Sequence, residues 1–433
     1  MLIRFSVENF RSFKDRQSLY LSAVKTCKEW NDENTAEESG VRVVRSAVVY
    51  GANASGKTNL FLAVERMRAF MLASVDIDKK ANLLYCEPFL LVPSSSAAPE
   101  TFEIELTVNG RHFVYGFSLV LKDKTFEEYE IVKEWLFEEV KNKMKPCFFR
   151  ERRTSDDGTM SNVIDIDEKR MPQGKGLEQR TRPDVLFFTV AAQFAEPTCQ
   201  MISEYIRVSF NVISAVNRQG LPEFSKLKML MNVEMASRIK KLIADADTGV
   251  KDLTIGDNGM MMSFHDQYDD AGAVIGRTNF LFSYAESLGT QKLFDLSGKL
   301  IDALRNGLVL MIDELDAQLH PLLVRHLIEL FNNSKTNPKN AQLIFNAQSP
   351  DLLGYKVYSE AKGKKIARLR RDQIYFVEKD NHEASKVFSL IEFKKDSGLR
   401  TRNDASYDKD YLSGVYGGIP FPKEMVSEVP DNG

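Results

Sequence analysis

The segment Gly51-Ala52-Asn53-Ala54-Ser55-Gly56-Lys57-Thr58 constrains this chain more than any other stretch. It follows a short apolar run, Ser46-Ala47-Val48-Val49-Tyr50, and precedes Leu60, Phe61, Val64, Met67 and Met71 at helical spacing. A strand, a glycine loop and a helix in that order form the setting in which G-x-x-x-x-G-K-S/T cradles phosphate. The glycines let backbone amides turn inward around phosphate oxygens, and the helix start adds partial positive charge. In that setting Lys57 bridges the β and γ phosphates and the Thr58 hydroxyl binds Mg2+. Gly51, Asn53, Ser55, Gly56, Lys57, Thr58 and Asn59 are accordingly the candidate contacts to ATP.

A second run, Leu308-Val309-Leu310-Met311-Ile312, ends in Asp313-Glu314, the pattern of a buried parallel strand delivering acids at its C-terminal edge. Asp313 is the candidate to hold Mg2+, directly or through water, and Glu314 to polarise the attacking water. The plain alternative, a strand end with two solvated acids, recedes in the company of the phosphate loop. Lys57 and Asp313 lie so far apart in sequence that a large insertion must divide the nucleotide-binding fold into two lobes. Before Asp313 comes Glu286-Ser287-Leu288-Gly289-Thr290-Gln291-Lys292, ahead of Leu293, Leu296, Leu300, Ile301 and Leu304 at helical spacing. A helix start with Ser and Gly suits a γ-phosphate, but more often it is an ordinary N-cap.

With 433 residues the chain is long enough for two or three packed units, and 43% hydrophobic with 27% charged residues suits a globular protein. A net charge of -3 excludes an overall basic field, so any nucleic-acid surface must be local. Cys27, Cys86, Cys147 and Cys199 are too widely spaced for a metal knuckle or a dense disulfide framework, and read as reduced structural thiols. No apolar run approaches the ~20 residues of a membrane span. The alternating N-terminus, Met1 to Glu8, reads as a strand and not a targeting signal. A cytoplasmic protein with no membrane partner is expected.

Met1 to Tyr20 predicts paired edge strands, Thr26 to Gly40 an exposed acidic loop, and residues 84 to 140 an antiparallel meander turning at Asn109-Gly110. Lys141 to Arg153, basic with Phe148 and Phe149 interleaved, reads as a solvated loop or, less readily, a nucleic-acid contact; a turn at Ser155 to Gly158 follows. Residues 175 to 247 read as helical, with Phe224, Leu227, Met231, Met235, Ile239 and Leu242 forming one apolar stripe. Strands return after Lys251, with a turn at Asp269 to Gly272. The basic cluster from Lys356 to Arg371, Lys362 included, suits either a phosphate backbone or a solvated face. Val426 to Gly433 reads as a frayed tail. Heptads are nowhere sustained, which argues against long coiled-coil arms.

The order of motifs resembles a known family. Asn9-Phe10-Arg11-Ser12-Phe13, the Asn-containing phosphate loop, Glu286 to Lys292, and Asp313-Glu314-Leu315-Asp316-Ala317-Gln318-Leu319-His320-Pro321 resemble the ABC-type ATPase heads of the RecF, SMC and overcoming-lysogenization-defect group. The nearest resemblance, over most of the chain, is to the small ATPases of bacterial abortive-infection systems, the AbiL, RloA and PARIS AriA kind. It implies an α/β fold: an ABC-type ATPase head split by an inserted β-meander and helical region, with no long coiled coil. Residues 1–83 would form the N-terminal lobe, 84–250 the insertion, and 251–433 the C-terminal lobe with the signature, the acidic strand and a basic terminal segment.

The resemblance further implies that two subunits sandwich two ATP molecules. Ser287 and Gly289 would then cap the γ-phosphate held by Lys57 of the partner subunit, and a homodimer or larger homo-oligomer would depend on ATP. His320-Pro321 stands where transporter-like heads carry Ser-Ala-Leu-Asp, so His320 is either a contact across that interface or a helix start. Gln348 stands where the family carries a γ-phosphate-sensing His; it donates a hydrogen bond but takes no charge, which implies slow turnover. The Gln usual between the lobes has no counterpart, and Glu87-Pro88-Phe89 lies roughly in its place. The implied catalytic set is Glu314, Lys57 and Gln348, with Thr58 and Asp313 as metal ligands.

The implied function is an ATP-hydrolysing sensor that regulates a separate toxic effector, a nuclease for example, in anti-phage abortive infection. No second acid cluster follows Gln348, so that effector is expected in another polypeptide. The alternatives are a DNA-repair ATPase of RecF or SMC type, whose ATP-bound dimer closes on DNA, and an ATP-locked scaffold.

Overall fold

The run Ser46–Tyr50 is apolar throughout because it lies inside a sheet covered on both faces. In the computed structural model, which describes residues 1–76, 84–122, 128–154, 160–214, 220–246, 248–360, 363–393 and 405–419, this sheet has six strands. Their spatial order is Phe210–Ile213, Val309–Ile312, Gln342–Asn346, Ser46–Tyr50, Ile374–Lys379 and Ser385–Ser389. The first five are parallel and the last is antiparallel. Alternate residues feed two cores. Ala47 and Val49 face one, with the helix Lys57–Ala73, while Val48 and Tyr50 face the other, with Leu288–Asn306 and Pro321–Asn332. From Ser46–Tyr50 the chain crosses to the far edge and returns strand by strand to its neighbour, which leaves a crevice at the C-terminal ends of these strands.

The meander forms a second, seven-stranded antiparallel sheet. Glu100–Val108, Arg111–Leu121, Tyr129–Val140, Lys143–Thr154 and Met160–Ile166 follow one another, and Leu2–Glu8 and Gln17–Tyr20 extend the sheet beyond Glu100–Val108. Asn109 and Gly110 both have positive φ, as a two-residue turn of this hand requires. Strand pairing thus joins the N-terminal strands to the meander, while Phe210–Ile213 joins the six-stranded sheet. Gln342 ties the sheets together: its side chain accepts from the Leu2 amide at 2.6 Å and donates to the Leu2 carbonyl at 2.9 Å. The longest helix among the described residues, Leu288–Asn306, has 19 residues, so no long coiled coil is present there. No helix among them is long and apolar enough to cross a membrane.

Several expectations need correction. Lys141 to Arg153 is not a loop: Lys143–Thr154 is an inner strand, and Cys147, Phe148 and Arg150 are buried. The alternation is masked because Arg150 points inward to meet Glu134 and the Val185 and Pro183 carbonyls. Thr26 to Gly40 is not an open loop either; Asn34, Thr35 and Ala36 are buried, and Thr35–Glu38 pairs with Val41–Val44. The apolar stripe from Phe224 to Leu242 breaks at Asn232, which caps a second helix by accepting from the Met235 amide. Met235 and Ile239 are buried there, but Leu227 and Met231 are exposed.

The basic cluster is also dispersed. Arg368 makes a two-pronged bond to Glu329, Arg370 is buried against Asp372, and Arg371 lies beside Glu29, so the three arginines do not extend the exposed lysines into a stripe for a phosphate backbone. Lys362, Ser155 to Gly158 and Val426 to Gly433 lie outside the described residues.

Glu134 is fully buried and accepts from the Phe187 and Phe188 amides and from the Tyr115 hydroxyl, with Arg150 at 3.6 Å. Burial raises its carboxyl pKa against the lowering effect of Arg150 and the two amides. Glu134→Ala would strand a buried guanidinium and a helix start. A loss of about 3–5 kcal/mol is expected from urea unfolding, while the near-isosteric Glu134→Gln should lose less.

Candidate nucleotide site

Past Tyr50 the chain must pass between two neighbours. A Cβ on Gly51 would stand 2.4 Å from the Val377 carbonyl oxygen. Gly56, at φ 109°, is still more confined: a Cβ would meet Ser385 Oγ at 2.3 Å and Ser12 Oγ at 2.7 Å. Those two hydroxyls support the loop from below. Ser385 Oγ donates to the Ser55 carbonyl at 2.6 Å and lies 2.8 Å from Ser12 Oγ, which accepts from Asn59 Nδ2 at 2.8 Å. Ser12 belongs to the Asn9 to Phe13 motif, so one job of that motif here is to hold up the phosphate loop. Ser385 does not stand out in the sequence, since a lone serine carries no pattern, and Ser12 is marked only by its place in that motif.

Lys57 opens the helix Lys57–Ala73, and its amine folds back onto the Gly51 and Ala52 carbonyls at 2.6 and 2.9 Å. Burial lowers its pKa, opposed by Asp313, Asp316 and Glu314. Asn53, Ser55, Gly56, Lys57, Thr58 and Asn59 line a cavity of about 280 Å³ together with Glu314, Asn346 and Gln348.

Asp313 ends the strand Val309–Ile312 completely buried. Its Oδ1 accepts from Thr58 Oγ1 at 3.3 Å and from Asn346 Nδ2. The Asn346 side-chain oxygen in turn accepts from the Glu314 amide. Glu314 has φ 54°, a conformation that costs a side-chain-bearing residue unless its neighbours hold it. Sequence reasoning misses Asn346, although a polar residue closing the apolar run Leu343-Ile344-Phe345 beside Gln348 is a usable signal. Gln348 lines the cavity, and its amide donates to Asp316 Oδ2.

Ser287, Gly289 and His320 are not brought to this cavity. They line another, of about 690 Å³, which shares no lining residue with the first. Ser287 Oγ accepts from the Thr290 amide, so it does cap the helix Leu288–Asn306. His320 Nδ1 accepts from the Leu322 amide and starts the helix Pro321–Asn332. Gly289 is required by contact, because a Cβ would stand 2.6 Å from the Gln318 carbonyl oxygen. Lys292, one turn on from Gly289, donates to the Glu314 and Ala317 carbonyls at 2.7 and 2.6 Å. Glu87 lies elsewhere, paired with Arg11 and Arg66.

The residues present fit Mg-ATP: a loop that admits no Cβ at Gly56, an amine held by carbonyls of its own loop, and a hydroxyl beside a buried carboxylate. Asn346 is a positioning residue in this arrangement. Asn346→Ala should raise the Mg2+ concentration needed for half-maximal ATP turnover about 10–100-fold, while metal-free binding of a fluorescent ATP analogue stays unchanged. Gly56→Ala should abolish that binding.

A family model described as "AAA domain, putative AbiEii toxin, Type IV TA system" matches residues 46–167 and 245–354, more than half of the chain. Among solved structures, the SMC head domain from Thermotoga maritima aligns with 13% identity and a TM-score of 0.39, covering 90% of this chain and 98% of that one. Comparison with curated proteins gives no significant match. The matched segments contain the phosphate loop, Ser287, Gly289, Asp313, Glu314 and Gln348, and the chain belongs to this AAA family.

Proposed function

We propose that the protein binds ATP with Mg2+, hydrolyses it slowly, and uses the nucleotide state to regulate a separate toxic effector in bacterial anti-phage defence. The observation that carries the ATPase part is the convergence of Lys57, Thr58, Glu314 and Gln348 around one cavity, with buried Asp313 hydrogen-bonded to Thr58, from segments far apart in sequence. The family's association with the AbiEii toxin and a type IV TA system supports the place in defence. The DNA-repair alternative draws on the basic cluster from Lys356 to Arg371, and its three arginines are engaged in internal ion pairs.

In this reading Lys57 exchanges its two carbonyl partners for β and γ phosphate oxygens, and the loop amides receive the rest of the triphosphate. Thr58 and Asp313 would hold Mg2+, which when bound would neutralise charge at the phosphates. Glu314 accepts the proton of the attacking water, and the backbone held by Asn346 and Lys292 aims its carboxylate. Gln348 donates a hydrogen bond toward the γ-phosphate but takes up no proton, consistent with slow turnover. Ser287, Gly289 and His320, displaced from the cavity in their own chain, meet the γ-phosphate on a partner subunit, so that ATP closes a homodimer.

Lys57→Ala should remove ATP binding in equilibrium dialysis. Glu314→Gln should keep binding and lower turnover by about 10²–10⁴-fold. In cells carrying the native operon, both variants should lose protection in a phage plating assay. Undiminished protection by Lys57→Ala would refute the nucleotide-dependent defence role, and unchanged turnover in Glu314→Gln would refute its role as base.

A further inference from the structure

A trough runs away from the Ser287 surface along three helices, and the nucleotide chemistry does not use its far end. The cavity beside Ser287 and a further cavity of about 510 Å³ share Asp245 and His326, so the two are continuous. Thr290 and Leu304 on the helix Leu288–Asn306 lie toward its two ends. At ~1.5 Å per residue the trough is about 20 Å long. The floor is apolar and incompletely covered: Leu242, Leu304, Leu323 and Leu330 are only partly buried, each supplied by one of the three surrounding helices. Its rim is basic. Arg238 and Arg305 share Glu234, and Lys241 pairs with Asp245, whereas Lys335 and Lys339 have no ion pair among the described residues. The cations here outnumber the acids on a molecule whose net charge is -3.

We infer that this trough is a docking site for an amphipathic, acidic helix from a second polypeptide. Leu242, Leu304 and Leu330 leave an apolar gap between helix faces at the far end, and a helix seated over about two turns there would fill it while leaving the Ser287 and Gly289 surface open to a partner subunit. Charge selects the occupant: carboxylates flanking its apolar stripe would meet Lys335 and Lys339 on one side and Arg238 and Arg305 on the other. A nucleic-acid backbone would find cations at the rim but leucines beneath it, where phosphates need polar partners. The inference does not rest on ATP hydrolysis, because the trough's far end touches neither the phosphate loop nor the acids.

The test uses the full chain and two fluorescein-labelled helical peptides of 18 residues. Both carry leucine at heptad a and d positions; one has glutamate at the flanking positions and the other lysine. The glutamate peptide should bind in fluorescence anisotropy, weaken with added salt, and lose about tenfold or more in affinity to Lys335→Glu/Lys339→Glu. Leu304→Asp should weaken it comparably, and the lysine peptide should bind at least tenfold more weakly. The two lysines are exposed, so their variant should fold and bind ATP normally, which separates this result from failure of the nucleotide site. Equal binding of both peptides, or binding indifferent to the lysine reversal, overturns the proposal. So does a 20-base-pair duplex that displaces the glutamate peptide and loses affinity to the same variant, which would make the trough a nucleic-acid site.

Discussion

The whole nucleotide site depends on hydrogen bonds that cross three adjacent parallel strands at their C-terminal ends. Asn346 closes the middle strand and reaches Asp313 on one neighbour, while Thr58, delivered by the loop after the other neighbour, reaches the same carboxylate. The sheet order makes this possible. Had Val309–Ile312 paired directly with Ser46–Tyr50, no strand would lie between loop and acid to carry the amide that holds Asp313 and the Glu314 backbone. The insertion between these strands is tolerated because the sheet needs them adjacent in space and not in sequence.

The same knot extends to the surface of Ser287. Asn346 accepts from the Glu314 amide on one side of the left-handed turn, and Lys292 grips the Glu314 and Ala317 carbonyls on the other. Gly289 packs against the Gln318 carbonyl with no room for a side chain. The helix that begins at Ser287 is therefore mechanically joined to the loop that carries Glu314. Contact made at the helix start reaches the Glu314 backbone through a few short hydrogen bonds, a route by which, in the proposed ATP-closed dimer, a partner subunit's phosphate would influence hydrolysis.

Much of this is legible in the sequence, and the failures have physical causes. The phosphate loop and the Asp313-Glu314 strand end are readable because glycines confined between neighbouring segments, and acids closing an unbroken apolar run, arise in few settings besides a phosphate site. The meander is readable from alternation and the Asn109-Gly110 turn. Lys141 to Arg153 misleads because a buried arginine, satisfied by Glu134 and backbone carbonyls, looks in sequence like any solvated one. The cluster from Lys356 to Arg371 misleads for the same reason, its partners Glu329 and Glu29 coming from separate segments and Asp372 lying just past its end. The roles of Asn346, Lys292, Ser12 and Ser385 come from contacts between distant segments; for the first three the sequence marks the position but not the partner, and for Ser385 it marks neither.

The most direct test of the split site is sedimentation velocity of the Glu314→Gln chain with Mg-ATP, alone and with Ser287→Arg added. The account predicts a two-chain species with ATP, one chain with ADP, and one ATP-bound chain when Ser287→Arg is present, because Ser287 serves the partner's nucleotide and not its own. A single-chain species under all three conditions, or loss of ATP binding on Ser287→Arg in the isolated chain, would contradict it.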